Sequence, residues 1–163
     1  MKPGGIRARG LDQVTPPALL YHGAVSPGAA GPSRGASIYQ VTIERTFNAS
    51  HGLRHYRGGT EPVHDHEWRV WVTLAGNVLD QAGCLVDFAD VNGWFDRTVA
   101  GWRGQNLNAV PPFEDAARSP SAENVARAIY DTIASVVPKT VALVKVEVEE
   151  EPGCRAAYQP PAG

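Results

Sequence analysis

The stretch "GTEPVHDHEWRVWV", residues 59 to 72, sets His64 and His66 two positions apart, with Glu61 three residues before the first. On an extended strand, residues two apart share a face, so both imidazoles can point the same way. That geometry suits two ligands of one metal. Taken alone, the pair could equally be two incidental histidines at a polar strand end. A third histidine, His51, sits in "FNASHGL", just past the preceding apolar alternation. A hairpin would bring it back beside His64 and His66. Three neutral imidazoles fill three positions of a tetrahedral zinc and leave the fourth open, as in catalytic zinc sites. His55 is a fourth nearby histidine that also reads as a solvated loop residue, and His22, in the N-terminal arm, reads as incidental.

Glu150 stands out by parity. In "TVALVKVEVEE", Val144, Val146 and Val148 share one strand face, Lys145, Glu147 and Glu149 the other, and Glu150 continues the apolar set. A carboxylate on that face needs a partner or water. It either marks the end of the strand or accepts hydrogen bonds from a ligand rich in N–H donors.

The elements that position these residues can be read from periodicity. "IYQVTIERTF" alternates, with Tyr39, Val41 and Ile43 on one side, and "EWRVWVTLAG" does so with Trp68, Val70, Val72 and Leu74. "DVNGWFDRTVAGW" places Val91, Trp94, Phe95, Thr98 and Trp102 at helical spacing. "SPSAENVARAIYDTIASVV" opens on Ser121 as a helix N-cap, carries Glu123 in its first turn, and shows a stripe of Val125, Ala128, Ile129 and Ile133 before Pro138. Between these helices runs a long loop, "GQNLNAVPPFEDAARSP", of the kind that often carries function. The closing strand, the turn "EPGC" and "RAAY" complete the order ββααββ. This is an α+β class domain, with two helices on one face of a four-stranded antiparallel sheet.

At 163 residues the chain suits one folded domain, preceded by an arm. Residues 1–37 hold seven glycines and five prolines and show no period of 2 or 3.6, so they read as a disordered Gly/Pro-rich arm, with the folded domain at 38–163. A formal net charge of −2 argues against a nucleic-acid surface or a polybasic membrane surface. Cys84 and Cys154 form no Cys-x-x-Cys pair, so neither a disulfide framework nor a Cys-rich zinc site is expected. Cys84 is expected to fill space beneath the sheet. No apolar run approaches a membrane span or a secretory h-region, which makes the cytoplasm the expected location.

"FNASHGL", "HDHEW", "GCLVDF", "NLN", "SAENVA" and "EE…Y" occur in the order and at about the spacing seen in the 6-pyruvoyl-tetrahydropterin synthase and 6-carboxytetrahydropterin synthase family, which the chain resembles over about residues 38–158. The resemblance implies a tunnelling fold, with trimers stacked into hexamers and active sites between subunits. It implies zinc on His51, His64 and His66, a pterin ring held by Glu150, and Ser121 and Glu123 near the pterin pocket. Two departures stand out. Where most members carry a catalytic cysteine, this chain has Thr60, and Glu61 gives "E-x-x-H-x-H". That is similar to the type III subgroup, in which glutamate replaces cysteine and 7,8-dihydroneopterin triphosphate is cleaved to 6-hydroxymethyl-7,8-dihydropterin. The family's Leu-Asp-His-x-x-Leu-Asn motif reads "WRGQNLN", with Arg103 for the aspartate and Gly104 for the histidine, so the usual Asp–His relay cannot operate. His55 as its substitute and Arg103 as a phosphate ligand are expectations to test. The activity implied is that of a zinc-dependent pterin lyase. The alternative is a homologue that keeps a pterin- or purine-binding pocket without turnover.

Overall fold

Two long strands organise the structure, a computed structural model that describes residues 38–161. The Gly/Pro-rich arm and His22 lie outside those residues. Strand β1 (Tyr39–His51) pairs antiparallel with β2 (His64–Gly76) along its whole length, from Tyr39 opposite Gly76 to His51 opposite His64. The sheet continues with β3 (Ala142–Glu151) and β4 (Cys154–Tyr158) in the order β1-β2-β3-β4, all antiparallel. Helices α1 (Phe88–Val99) and α2 (Ala122–Ala134) cover one face. A 3-10 turn, Leu107–Ala109, lies between them.

Alternation decides which side chains meet the helices. Ile43, Phe47, Ala49 and His51 of β1 are buried, as are Trp68, Val70, Val72 and Leu74 of β2. Val125, Ala128, Ile129 and Ile133 of α2 close over them, with Val91, Phe95 and Val99 of α1. The three histidines therefore stand on the core face, where the apolar stripes run out at one end of the sheet. Burying this many apolar side chains, at roughly 1.5–3 kcal/mol each, supplies the rigid base on which a polar cluster can be held.

Three details differ from the sequence expectation. Trp102 is core, but α1 stops at Val99 and Trp102 lies in the following turn, its Nε1–H donating to the Pro111 carbonyl. Along β3, strict alternation breaks at an irregularity opposite Thr73 and Leu74, so Leu143 rather than Val144 is buried alongside Val146 and Val148. Cys84 does not fill space beneath the sheet; it is exposed. Its backbone N–H, with that of Ala82, is taken by the Asp80 carboxylate in a tight turn that ends before Asp87 caps α1, and that turn holds it outside the core.

The long loop returns to the edge of β1. Gly104 N–H donates to the Asn48 carbonyl, and Ser50 N–H donates to the Gln105 carbonyl. Gly104 adopts φ +68, a conformation in which a histidine would be strained. Arg103 turns away to donate to Asp96 at 2.8 Å and to the Thr46 carbonyl at 3.1 Å. No helix among the described residues is long and apolar enough to cross a membrane.

Candidate metal centre and adjoining cleft

Register alone assembles the histidines. His51 faces His64 across the β1–β2 pair, and Ala49 faces His66, so all three rings crowd one corner. Ring centroids lie 4.8 Å apart for His51 and His64, 5.1 Å for His51 and His66, and 4.7 Å for His64 and His66. Glu150, on the face of Val146 and Val148, completes the group. One ligand atom from each of His51, His64, His66 and Glu150 falls within 4.8 Å of every other.

Neighbouring carbonyls orient two of the rings. His51 Nδ1–H donates to the Pro120 carbonyl at 2.7 Å, and His64 Nδ1–H donates to the Pro62 carbonyl at 2.8 Å. Fixing Nδ1–H this way leaves Nε2 as the free lone pair, the usual arrangement of metal-binding histidines. Nε2 of His51 and of His66 are buried and have no hydrogen-bond partner. Yet Glu150 Oε1 lies 3.1 Å from the first and 3.5 Å from the second. A lone pair facing a carboxylate at that distance demands positive charge between them: a proton or a cation. The electrostatics agree. Burial pushes His51 down, but the Glu150 carboxylate facing its Nε2, the Pro120 carbonyl on its Nδ1–H and the charge of Glu61 outweigh it, and its pKa is raised. Burial prevails at His66, which is lowered. The His51 imidazole beside it holds Glu150 below the usual carboxylate range against its own desolvation. The three imidazoles fit a divalent zinc-type ion with one position left open, and the Glu150 carboxylate beside them balances its charge.

Beside this cluster opens a cleft of about 430 Å³, lined among others by Leu53, Tyr56, Glu61, His64, Ser121, Glu123 and Glu150. Glu61 is held at its edge by two bonds to one residue. Its N–H donates to the Leu53 carbonyl at 2.9 Å, and its Oε2 accepts from Leu53 N–H at 3.1 Å. Ser121 caps α2 by accepting from Asn124 N–H, so it enters the cleft together with the helix N-terminus and Glu123. The structure thus brings Glu61, Ser121, Glu123, Glu150 and His64 to one cleft, with His51 and His66 behind it. His55 is exposed and does not line it. Arg103 lines a different pocket, with Glu44, Arg45, Thr46 and Asp96.

Several residues that build the site went unread in the sequence. Arg54 donates to the carbonyls of Asn108, Phe113, Asp115 and Arg118 and so ties the long loop to the end of β1. Asn108 clamps Gly52 from both sides, accepting from its N–H and donating to its carbonyl, which explains the second asparagine of "NLN". Tyr56, Cys154 and Arg155 also line the cleft. No spacing rule flags them, because they converge only through the turns at residues 56–59 and 152–153.

A four-stranded antiparallel sheet, helices on one face, and a histidine cluster at the strand ends define a recognisable class of small α+β protein. The profile of the family described as 6-pyruvoyl tetrahydropterin synthase matches residues 40–161. The chain therefore belongs to the 6-pyruvoyl tetrahydropterin synthase family. It is 30% identical over 135 residues to the 6-carboxy-5,6,7,8-tetrahydropterin synthase of Bacillus subtilis, covering 77% of this chain and 88% of that one. Its fold matches the 6-pyruvoyl tetrahydropterin synthase of Caenorhabditis elegans with a TM-score of 0.66 at 23% identity, over 76% of this chain and 96% of that one. The Plasmodium vivax enzyme of the same name matches with a TM-score of 0.61 at 17% identity, over 76% and 98%. A further Plasmodium vivax structure, TM-score 0.61 at 15% identity over the same shares, is of a catalytic-residue mutant in which a glutamate is replaced by alanine. These neighbours establish the fold as the tunnelling fold of the family.

Proposed function

We propose that the protein is a zinc-dependent pterin lyase acting on the side chain of 7,8-dihydroneopterin triphosphate or a close analogue, with Glu61 as general acid/base. One observation carries the reading: the unpartnered, buried Nε2 atoms of His51 and His66 converge with His64 and Glu150, and the cleft beside them is edged by Glu61. The catalytic glutamate named for the Plasmodium vivax structure supports giving Glu61 that role.

His51, His64 and His66 would hold the ion. Zinc bound there would supply Lewis-acid chemistry, lowering the pKa of a side-chain hydroxyl. Glu150 accepts from the N–H groups of the pterin ring and orients it, and Ser121 and Glu123 border the ring's seat. Glu61 takes the proton from the C2′ hydroxyl as the C1′–C2′ bond breaks. C2′ leaves as an aldehyde, the electron pair passes into the dihydropterin system, and the proton returns at C1′. The product is 6-hydroxymethyl-7,8-dihydropterin, a folate precursor. The likeness to the Bacillus subtilis enzyme instead favours 6-carboxytetrahydropterin, on a queuosine-type route. The enzyme acts as a homo-oligomer, a trimer or a hexamer of two trimers, in the cytoplasm.

The deciding experiment incubates the zinc-loaded chain with dihydroneopterin triphosphate and identifies products by mass. Hydroxymethyl or carboxy product supports the lyase, and no turnover with zinc intact refutes it. A second reading has a specific motive: Arg103 and Gly104 stand where the relay pair is expected, and Arg103 is bound to Asp96. Tight pterin or purine binding without turnover would establish such a non-catalytic homologue.

A further inference from the structure

We propose that Arg155 is a positioning residue for the site: by holding Glu149 on the sheet face away from the helices, it selects Glu150, out of three consecutive glutamates, as the carboxylate that faces the histidines. What Glu150 then does for a ligand rests on the pterin-lyase reading above.

Glu149, Glu150 and Glu151 follow one another at the end of β3. Side chains alternate between faces along a strand, so a slip of one residue would send Glu150 outward and turn a neighbouring glutamate toward the histidines. Strand pairing does not prevent that slip at Glu150 itself. The pairing of β3 with β2 runs no further than Glu149, opposite Arg69. On the other side Glu149 faces Arg155 and Glu151 faces Cys154, which leaves Glu150 as the extra residue of a bulge, with no opposite number on either neighbouring strand. Bulges of this kind re-aim a side chain, and the direction of the aim depends on what fixes the residues beside them.

Here Glu149 is the fixed residue. Arg155 Nε–H donates to its Oε2 at 2.6 Å. Glu149 is buried, so its carboxylate is costly to leave without that partner. Arg155 is held in turn. Its guanidinium lies 4.0 Å over the Trp71 ring of β2, and Trp71 Nε1–H donates to Glu44 of β1 at 3.0 Å. The link therefore runs across all four strands, on the face opposite the core. Gly153, at φ +83, makes the turn that sets Arg155 opposite Glu149. Glu150 has no comparable anchor. Its carboxylate meets Nε2 of His51 at 3.1 Å and of His66 at 3.5 Å, the same nitrogens that a cation would use. Its aim must come from the backbone, and Arg155 pins that backbone one residue away.

The test is a double-mutant cycle on the full-length chain, read by the Kd for zinc alone and by KM and kcat for 7,8-dihydroneopterin triphosphate. Arg155→Met should weaken zinc several-fold and raise KM about tenfold, the usual weight of a hydrogen bond to a charged group. Loss of ring anchoring shows in KM, so kcat per bound zinc should fall less than about threefold. Arg155→Lys, which keeps the charge, should recover most of both losses. In a Glu149→Met background, Arg155→Met should change neither quantity by more than about twofold, because the two residues act as one unit. Should Arg155→Met fail to fold, Arg155→Gln carries the same cycle with smaller losses of the same sign. An Arg155 variant with unchanged zinc Kd and KM, or one that loses as much with Glu149 replaced as with it present, overturns the proposal; the second result would mean that Arg155 acts without Glu149. If the zinc pattern holds but the wild-type chain turns nothing over, the lyase reading falls and the positioning role stands.

Discussion

Gly52→Ala tests how Glu61 is positioned, because the substitution adds one carbon at a known place. A Cβ on Gly52 would lie 2.6 Å from the Glu61 carbonyl oxygen and 3.5 Å from its carbonyl carbon and from that of Pro62. Contacts below 3.0 Å are not tolerated, so one of the two backbones must yield by several tenths of an ångström. Neither is free to move. Asn108 clamps Gly52 on both sides, and Glu61 is tied to Leu53 by its N–H and its carboxylate. Overpacking of this kind costs about 1–3 kcal/mol. Alanine recovers about 0.4–1 kcal/mol by restricting the unfolded chain. The net loss is about 1–2 kcal/mol, which lowers Tm by roughly 3–8 °C. Turnover should fall more steeply, by about 10–100-fold, since a sub-ångström to 1 Å misplacement of a reacting group can cost about that much. The assays are a thermal melt, zinc stoichiometry and steady-state kinetics of the same preparation. Gly59→Ala is the control: its Cβ meets nothing within 4 Å, and it should alter neither quantity adversely. Unchanged Tm and kcat in Gly52→Ala would refute the claim that this contact sets Glu61.

Removing Arg54 should loosen the long loop. Arg54→Ala is expected to cost about 2–3 kcal/mol in urea unfolding, and Arg54→Lys most of that, because an ammonium cannot reach carbonyls spread over Asn108 to Arg118. Chelation should lower Tm and zinc should restore it, with a stabilisation of about 2.7 kcal/mol when free metal is 100 times its Kd; a melt indifferent to chelator would speak against an occupied site. The Arg155 hydrogen bond holds Glu149 below the usual carboxylate range. A depressed folded pKa contributes stability above the unfolded value and loses it as pH falls through the folded one. Melts from neutral to acid pH should therefore show a shallower acid loss in Arg155→Met than in the wild type, with lower stability at neutrality.

Much of this was legible because a strand of period two announces its faces. The β1 and β2 stripes, the Ser121 cap and the α2 stripe could all be read directly, and the hairpin that brings His51 beside His64 and His66 follows from them. Glu150 was flagged by parity even though an irregularity displaces Val144 earlier in β3, because alternation resumes at Val146. What escaped depends on turns and on backbone acceptors. The carbonyls of Pro62 and Pro120 that orient the histidines, and those gathered by Arg54, leave no residue-type signature. Cys84 looked like core because it precedes Leu85 and Val86, but the Asp80 turn holds it in solvent. The acidity of the cleft was equally hidden, since its carboxylates come from the β1–β2 connection, α2 and β3.

Glu61 is proposed to move the proton beside a histidine-held zinc. The most direct measurement is the single-turnover rate of Glu61→Gln with zinc content determined on the same sample. Full zinc occupancy, unchanged pterin binding and a rate reduced about 10²–10⁴-fold, the usual share of a general acid/base, are expected. A variant that keeps its zinc and turns over at the wild-type rate would contradict it.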